Sequence, residues 1–128
     1  MTTKPANQLL GTIPTFRVKD ARAAEAFYRD ILGFRTNWEH DPGDGYPIFL
    51  EMMRDNIALH LSEHEGDGPE GVSIYVNVTD ARALFGEFLS AGAEVPNPPQ
   101  EAEWGEVVFG LNDLDGNTLR FGSPISSD

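Results

Sequence analysis

The sequence contains no cysteine, which excludes disulfide bonds, thiolate nucleophiles and zinc sites with cysteine ligands. Any metal site would therefore need His, Asp or Glu. It also has no apolar run near the ~18 residues that a membrane-spanning helix requires, so we expect no membrane partner. The N-terminal segment has a single lysine and lacks the apolar stretch of a secretory signal. We therefore expect a cytoplasmic protein.

Basic residues are scarce, because nine Lys and Arg accompany 21 Asp and Glu and give a formal net charge of −12. Nine of the acids lie between Glu39 and Glu70, where Arg54 is the only Lys or Arg. Such a field repels phosphate backbones and attracts cations, so we expect no nucleic-acid partner and favour a cationic small molecule. The simpler interpretation is a solvated acidic surface that aids solubility.

A short repeat divides the chain into two similar halves. The segment VKDARA at Val18–Ala23 matches VTDARA at Val78–Ala83 in five of six positions, sixty residues later. Asp20 and Asp80 are suited to cap helices that start after them. Each predicted helix has an apolar stripe and ends at a glycine, Gly33 or Gly92.

After each predicted helix the hydrophobic period changes to two, which predicts antiparallel strands. The predicted strands are Phe34–His40, Tyr46–Met52 and Asn56–His64 in the first half and Ala93–Pro96, Trp104–Asn112 and Asn117–Gly122 in the second. Both halves thus read βαβββ. We expect an α+β fold in which two tandem βαβββ modules form curled mixed sheets around a groove, with the helices on the outer face. We further expect a single domain over residues 1–128, with module one at about 11–64, a linker at about 65–71 and module two at about 72–123.

Strand parity separates two faces of the predicted sheets. One face is almost wholly aliphatic and should pack on the helices: it comprises Phe16, Val18, Ile57, Leu59, Leu61, Ile74, Val76, Val78, Leu119 and Phe121. The opposite face, here called the open face, is rich in hydrogen-bonding groups: Ile13, Thr15, Arg17, His60, Ser62, Ser73, Tyr75, Asn77, Thr118 and Arg120. It is either the solvent side of an antiparallel sheet or the lining of a ligand groove.

Two motifs carry a family resemblance: FYRDILGF at Phe27–Phe34, and the DLDGN turn at Asp113–Asn117 before the last strand. With the duplicated βαβββ pattern, they make the chain resemble the glyoxalase/bleomycin resistance protein/dioxygenase superfamily, also called vicinal oxygen chelate, from about Ile13 to Phe121. The segment Leu59–Gly71 and the pair Trp104–Gly105 are most similar to bleomycin-resistance-like members. This fold hosts several activities, so function depends on the site.

The resemblance also implies where a metal would bind. Metal-dependent members carry ligands on the first, fourth, fifth and eighth strands, which here correspond to Ile13, His60, Ser73 and Arg120. Only His60 has a suitable donor, so we predict no metal and no other cofactor. His60 and His64 are four residues apart, but on a strand of ~3.3 Å per residue they would be about 13 Å apart, too far to share an ion.

Three functions remain open on these grounds. The first is a non-enzymatic protein, resembling bleomycin-resistance proteins and dimeric like them, that sequesters a cationic aromatic glycopeptide antibiotic. The second is an enzyme for a small oxygenated substrate, of lyase or dioxygenase type, in which His60 is a base and Arg120 holds a carboxylate. The third is a binder of an unknown metabolite.

We assign no catalytic residue, because there is no nucleophile motif. The predicted ligand-binding residues are Trp38, Phe49, His60, Ser62, Tyr75, Trp104 and Arg120.

Overall fold

The computed structural model describes residues 6–125, and within them the two predicted βαβββ modules follow one another along the chain. Module one contains β1 (Thr15–Arg17), α1 (Ala21–Asp30), β2 (Arg35–His40), β3 (Phe49–Arg54) and β4 (Ile57–Ser62). Module two contains β5 (Ser73–Asn77), α2 (Ala81–Ser90), β6 (Gln100–Glu101), β7 (Glu106–Asn112) and β8 (Thr118–Pro124). The α+β fold with two repeated modules is confirmed. The division of residues 1–128 into one domain stays a prediction.

The two helices start and stop where the repeat predicts. Asp20 accepts hydrogen bonds from the backbone N–H groups of Arg22 and Ala23, and Asp80 accepts one from Ala83, so both aspartates are N-caps. Each helix is followed by a glycine with positive φ, Gly33 at 77° and Gly92 at 99°. These caps explain why α1 and α2 begin sixty residues apart.

Each module folds its four strands into one mixed sheet. Sheet one has the order β1-β4-β3-β2 and sheet two the order β5-β8-β7-β6. In both, the strand before the helix pairs in parallel with the last strand of the module, and the other pairs are antiparallel. The two sheets therefore share one topology.

Several strand bounds differ from the predicted ones. Residues Ala93–Pro96 do not form a strand, and the short β6 instead follows Pro98 and Pro99, because prolines lack the N–H group that a sheet ladder needs. The third strand of module one, β3, begins at Phe49 rather than Tyr46, after a loop that contains Pro47. Trp104 lies before β7, in the turn that joins it to β6.

One face of each sheet packs against its helix, as strand parity predicts. Phe16, Leu59, Leu61 and Leu119 are fully buried, and Phe121 is 3% exposed. Phe88 of α2 packs on Phe121 and Phe109, with ring centroids 5.3 and 6.0 Å apart. No helix among residues 6–125 is long and apolar enough to span a bilayer.

The DLDGN turn holds the two modules together. Asp113 accepts a 2.8 Å hydrogen bond from the hydroxyl of Tyr28 in α1, and Asn117 donates to the backbone oxygen of Arg17 in β1. Asp115 accepts a 2.9 Å hydrogen bond from the backbone N–H of Lys19. Burial raises the pKa of Tyr28 far above its usual value, and the neighbouring Asp113 raises it further, so the hydroxyl stays a donor. The motif therefore has a structural role.

A second link between the modules is an ion pair. Arg54 at the end of β3 donates to both carboxylate oxygens of Glu87 in α2, at 2.7 and 2.9 Å, and to the backbone oxygen of Leu32 at 2.9 Å. These hydrogen bonds to Arg54 lower the pKa of Glu87. A Cβ atom on Gly33 would lie 2.9 Å from the guanidinium, so glycine leaves room for the pair.

Candidate functional site

A β-bulge in β2 decides where Trp38 points. Thr36 pairs with Met52 and Trp38 pairs with Glu51, so Asn37 is an extra residue in the ladder. Without it, Trp38 would pair with Leu50, whose side chain is buried on the helix side of the sheet. Because a shift of one residue exchanges the two faces of a strand, the bulge brings Trp38 to the open face.

There Trp38 joins an aromatic group on sheet one. Its ring stacks on Phe49, with centroids 5.5 Å apart and planes 11° apart. The imidazole of His60 meets both rings edge-on, 4.9 Å from Phe49 and 5.7 Å from Trp38. Trp38 remains 43% exposed, so one of its faces can stack on a flat ligand.

A carboxylate lies beside the His60 ring of this group. Glu51 is 9% exposed, and its oxygens lie 3.8 Å from Nε2 of His60 and 3.5 Å from Nδ2 of Asn37. A negative charge at this depth is screened less by salt than a surface charge and favours a cation nearby. We call Trp38, Phe49, His60 and Glu51 the sheet-one cluster.

A cavity of about 580 Å³ opens beside Trp38 and Phe49. Its volume is within the range of small-molecule sites, and most of its lining is apolar or aromatic. Tyr46, which is 65% exposed, adds a third ring, and Asp67 adds a second carboxylate. The other lining residues are His40, Pro42, Pro47, Ile48 and His64. Tyr46, His40 and Asp67 are not among the ligand-binding residues that the sequence predicts.

Sheet two carries its own group of aromatic and charged side chains, the sheet-two cluster of Tyr75, Trp104, Glu106 and Arg120. Tyr75 and Trp104 both donate hydrogen bonds to Glu106, which sequence reasoning missed. Partial burial raises the pKa of Tyr75, and the hydrogen bond to Glu106 raises it further, so the hydroxyl remains a donor. Trp104 and Arg120 line a cavity of about 390 Å³, separate from that of sheet one.

Ser62 differs from the other predicted ligand-binding residues because it is fully buried. Its hydroxyl donates to Asp67 at 2.6 Å and accepts from the backbone N–H of His64 at 3.0 Å. Ser62 therefore ties the linker to the end of β4 and has no exposed surface for a ligand. His64 lies beyond the end of β4, in the turn that follows.

Several acids of the 39–70 segment have structural partners. Glu63 accepts hydrogen bonds from the backbone N–H groups of Ala21, at 2.7 Å, and Ile48, at 2.9 Å, and so joins the start of α1 to the residue just before β3. Glu39 and Asp41 both accept from Arg22. The acidity of this segment is thus partly internal to the fold, whereas Asp67 lines the cavity beside Trp38 and Glu51 lies next to His60.

Comparison with known proteins identifies the family. A model described as "Glyoxalase superfamily protein" matches residues 5–127. The chain belongs to the glyoxalase superfamily. Among curated proteins no match is found.

Several solved structures, among them one of a bleomycin-binding protein, are similar to this glyoxalase-superfamily chain. The bleomycin-binding protein of Streptomyces verticillus, in complex with copper(II)-bleomycin, is 27% identical, with a TM-score of 0.72 over 92% of this chain and 98% of its own. The bleomycin resistance determinant of transposon Tn5 is 23% identical, with a TM-score of 0.74 over 92% and 100%. TioX from Micromonospora sp. ML1 is 18% identical, with a TM-score of 0.74 over 90% and 99%. The resemblance inferred from the sequence is confirmed at the level of the superfamily.

The metal positions implied by the superfamily do not fit a divalent ion here. Ile13 precedes β1 and has no donor atom, whereas Thr15 is the residue that pairs with His60. Ser73 is a weak ligand, and the guanidinium of Arg120 repels a cation. Across residues 6–125, no group of three or more His, Cys, Asp or Glu side chains is placed to hold a metal. These four positions therefore offer no complete set of ligands for a divalent ion.

Proposed function

We propose that this protein binds, without transforming it, a small molecule that combines a flat aromatic group with a positive charge, as a bleomycin-type antibiotic does. The observation that carries the proposal is the Trp38–Phe49 stack with the Glu51 carboxylate beside it. A planar ring can stack on the exposed face of Trp38, and a cation attached to it gains from Glu51 and Asp67.

The similar structures support this ligand class. Two of them were solved with bleomycin or copper(II)-bleomycin bound, at 23% and 27% identity. Likeness at this level concerns the fold, so the ligand class depends on the side chains of the two clusters. A binding role also suits a superfamily member whose metal positions hold Ile13, Ser73 and Arg120, which lack the donors of a catalytic centre.

We further propose that the protein acts in the cytoplasm as a homodimer in which the open faces of two copies complete the ligand groove. Trp38 and Phe49 line a different cavity from Trp104 and Arg120, so each chain offers two separate half-sites. Leu9 and Leu10 are 93% and 90% exposed and give a partner apolar surface to cover. Sedimentation as a monomer at ~50 µM would contradict the dimer, because obligate partners associate well below that concentration.

The ligand is tested by calorimetric titration with bleomycin. We expect saturable heat with a micromolar or tighter Kd at low salt, and weaker binding as salt screens the acids. A neutral aromatic compound of similar size should bind more weakly. Absence of heat at ~50 µM protein would exclude bleomycin as the ligand. Equal affinity for the neutral compound would exclude the cationic class and leave an unknown metabolite.

A further inference from the structure

The carboxylate of Glu106 at the start of β7 is held on one side only. Its Oε1 atom accepts a hydrogen bond from the hydroxyl of Tyr75 and another, of 3.2 Å, from Nε1 of Trp104. Its Oε2 atom has no hydrogen-bond or ion-pair partner among residues 6–125. Two donors on one oxygen fix the orientation of the group and leave the other oxygen to a ligand.

Tyr75 reaches Glu106 only because of a glycine. Tyr75 lies on β5 and Glu106 on β7, and β8 runs between these strands. A Cβ atom on Gly122 of β8 would lie 1.9 Å from the Tyr75 hydroxyl and 2.6 Å from Cζ. The side chain of Tyr75 therefore crosses β8 over Gly122, where any other residue would block it. Such a close approach is a common reason for glycine inside a strand.

Both donors are exposed aromatic residues. Trp104 is 64% exposed and Tyr75 is 39% exposed, so the carboxylate is flanked by accessible ring surface. Rings next to a carboxylate suit an organic cation, which pairs with the oxygen and lies against the ring faces. Arg120 pairs with Tyr75 on the neighbouring strand and is the positive charge that opposes such a ligand.

We propose that Glu106, hydrogen-bonded to Tyr75 and Trp104, binds the ammonium or guanidinium group of an organic cation, and that Gly122 is the residue that positions Tyr75 for this. The inference rests on the proposed function and adds to it a second cation-binding point on sheet two, while the flat ring and the charge next to it lie on sheet one. It adds Glu106 and Gly122 to the residues that determine specificity.

The test uses agmatine, which carries both cationic groups and no aromatic ring. The sequence has two tryptophans, so in a Trp38→Phe background the indole fluorescence comes from Trp104 alone. We expect a saturable change in this fluorescence at constant ionic strength. Glu106→Gln should weaken binding about tenfold, because a charge-assisted hydrogen bond is lost. Arg120→Gln should strengthen binding about threefold, because it removes an opposing charge.

The matched control is Glu103→Gln, which removes the same charge from the neighbouring exposed turn and should change the affinity less than about twofold. Gly122→Ala should weaken agmatine binding as Glu106→Gln does. Tyr75→Phe should also weaken binding, and it adds no volume to the strand. No saturable response in the Trp38→Phe protein, or equal losses with Glu103→Gln and Glu106→Gln, would overturn the proposal. Because agmatine has no aromatic ring to stack on sheet one, the outcome is independent of whether bleomycin binds.

Discussion

Replacing Asp113 by asparagine should lower the free energy of unfolding by about 3 kcal/mol, the cost of disrupting a buried network around a charge. Asp113 is 8% exposed and accepts four hydrogen bonds. Oδ1 accepts from the backbone N–H groups of Asp115 and Asn117, both at 2.9 Å. Oδ2 accepts from the Tyr28 hydroxyl at 2.8 Å and from the Asn117 amide at 2.9 Å. An asparagine would place an NH₂ group against two of these donors.

Asp115→Asn is the matched control, because it makes the same change two residues away in the same turn. Asp115 accepts one hydrogen bond from Lys19, which an asparagine oxygen can also accept. Burial raises the pKa of Asp115, so its charge is not favoured there and its loss should cost less than ~1 kcal/mol. Urea unfolding measures the free energy of unfolding of both variants. Equal losses for the two variants would show that Asp113 has no special role in joining the modules.

Truncating Trp38 to alanine should weaken the binding of a bleomycin-type ligand about 30-fold, or ~2 kcal/mol, as loss of a central aromatic contact does. The indole supplies the exposed ring of the stack, and Phe49 lies beneath it with planes 11° apart. The unfolding free energy should change little, because Trp38 lies on the open face and is 43% exposed. Calorimetry gives the affinity and thermal unfolding gives the stability.

Leu89→Ala is the control for this variant. The exposed fraction of Leu89, 45%, is similar to that of Trp38, but Leu89 lies on α2 rather than on the open face of sheet one. Its truncation should leave the ligand affinity within about twofold, as for most surface positions away from a site. If the two variants lost the same affinity, the effect would reflect surface apolarity in general, and the stacking contact would be excluded.

The sequence predicted most of the fold because local signals agreed. The spacing of sixty residues, the N-cap aspartates and the apolar stripes located both helices, and strand parity assigned Phe16, Leu59 and Leu119 to the core. The prediction of β6 was wrong because alternation at Ala93–Pro96 outweighed the prolines that follow. Alternation shows which residues favour a strand but not which of them find a partner strand.

The site was predictable only in part, because contacts across strands depend on register. Trp38, Phe49 and His60 form a cluster that sequence reasoning had selected, but the bulge at Asn37 that turns Trp38 to the open face gives no sequence signal. Ser62 had the parity of the open face, yet the linker covers it through Asp67. Glu106 and Gly122 were missed because the side chain of Tyr75 crosses β8 over Gly122 to reach Glu106 on β7.

The most direct test of the binding proposal is to follow the indole N–H signals of the two tryptophans by ¹H–¹⁵N NMR while bleomycin is added. Trp38 and Trp104 lie in different clusters, and Trp38→Phe assigns the two signals. The proposal predicts that both signals shift in a saturable manner, with the same apparent Kd. Calorimetric binding that leaves both signals unmoved would place the ligand elsewhere and contradict the account.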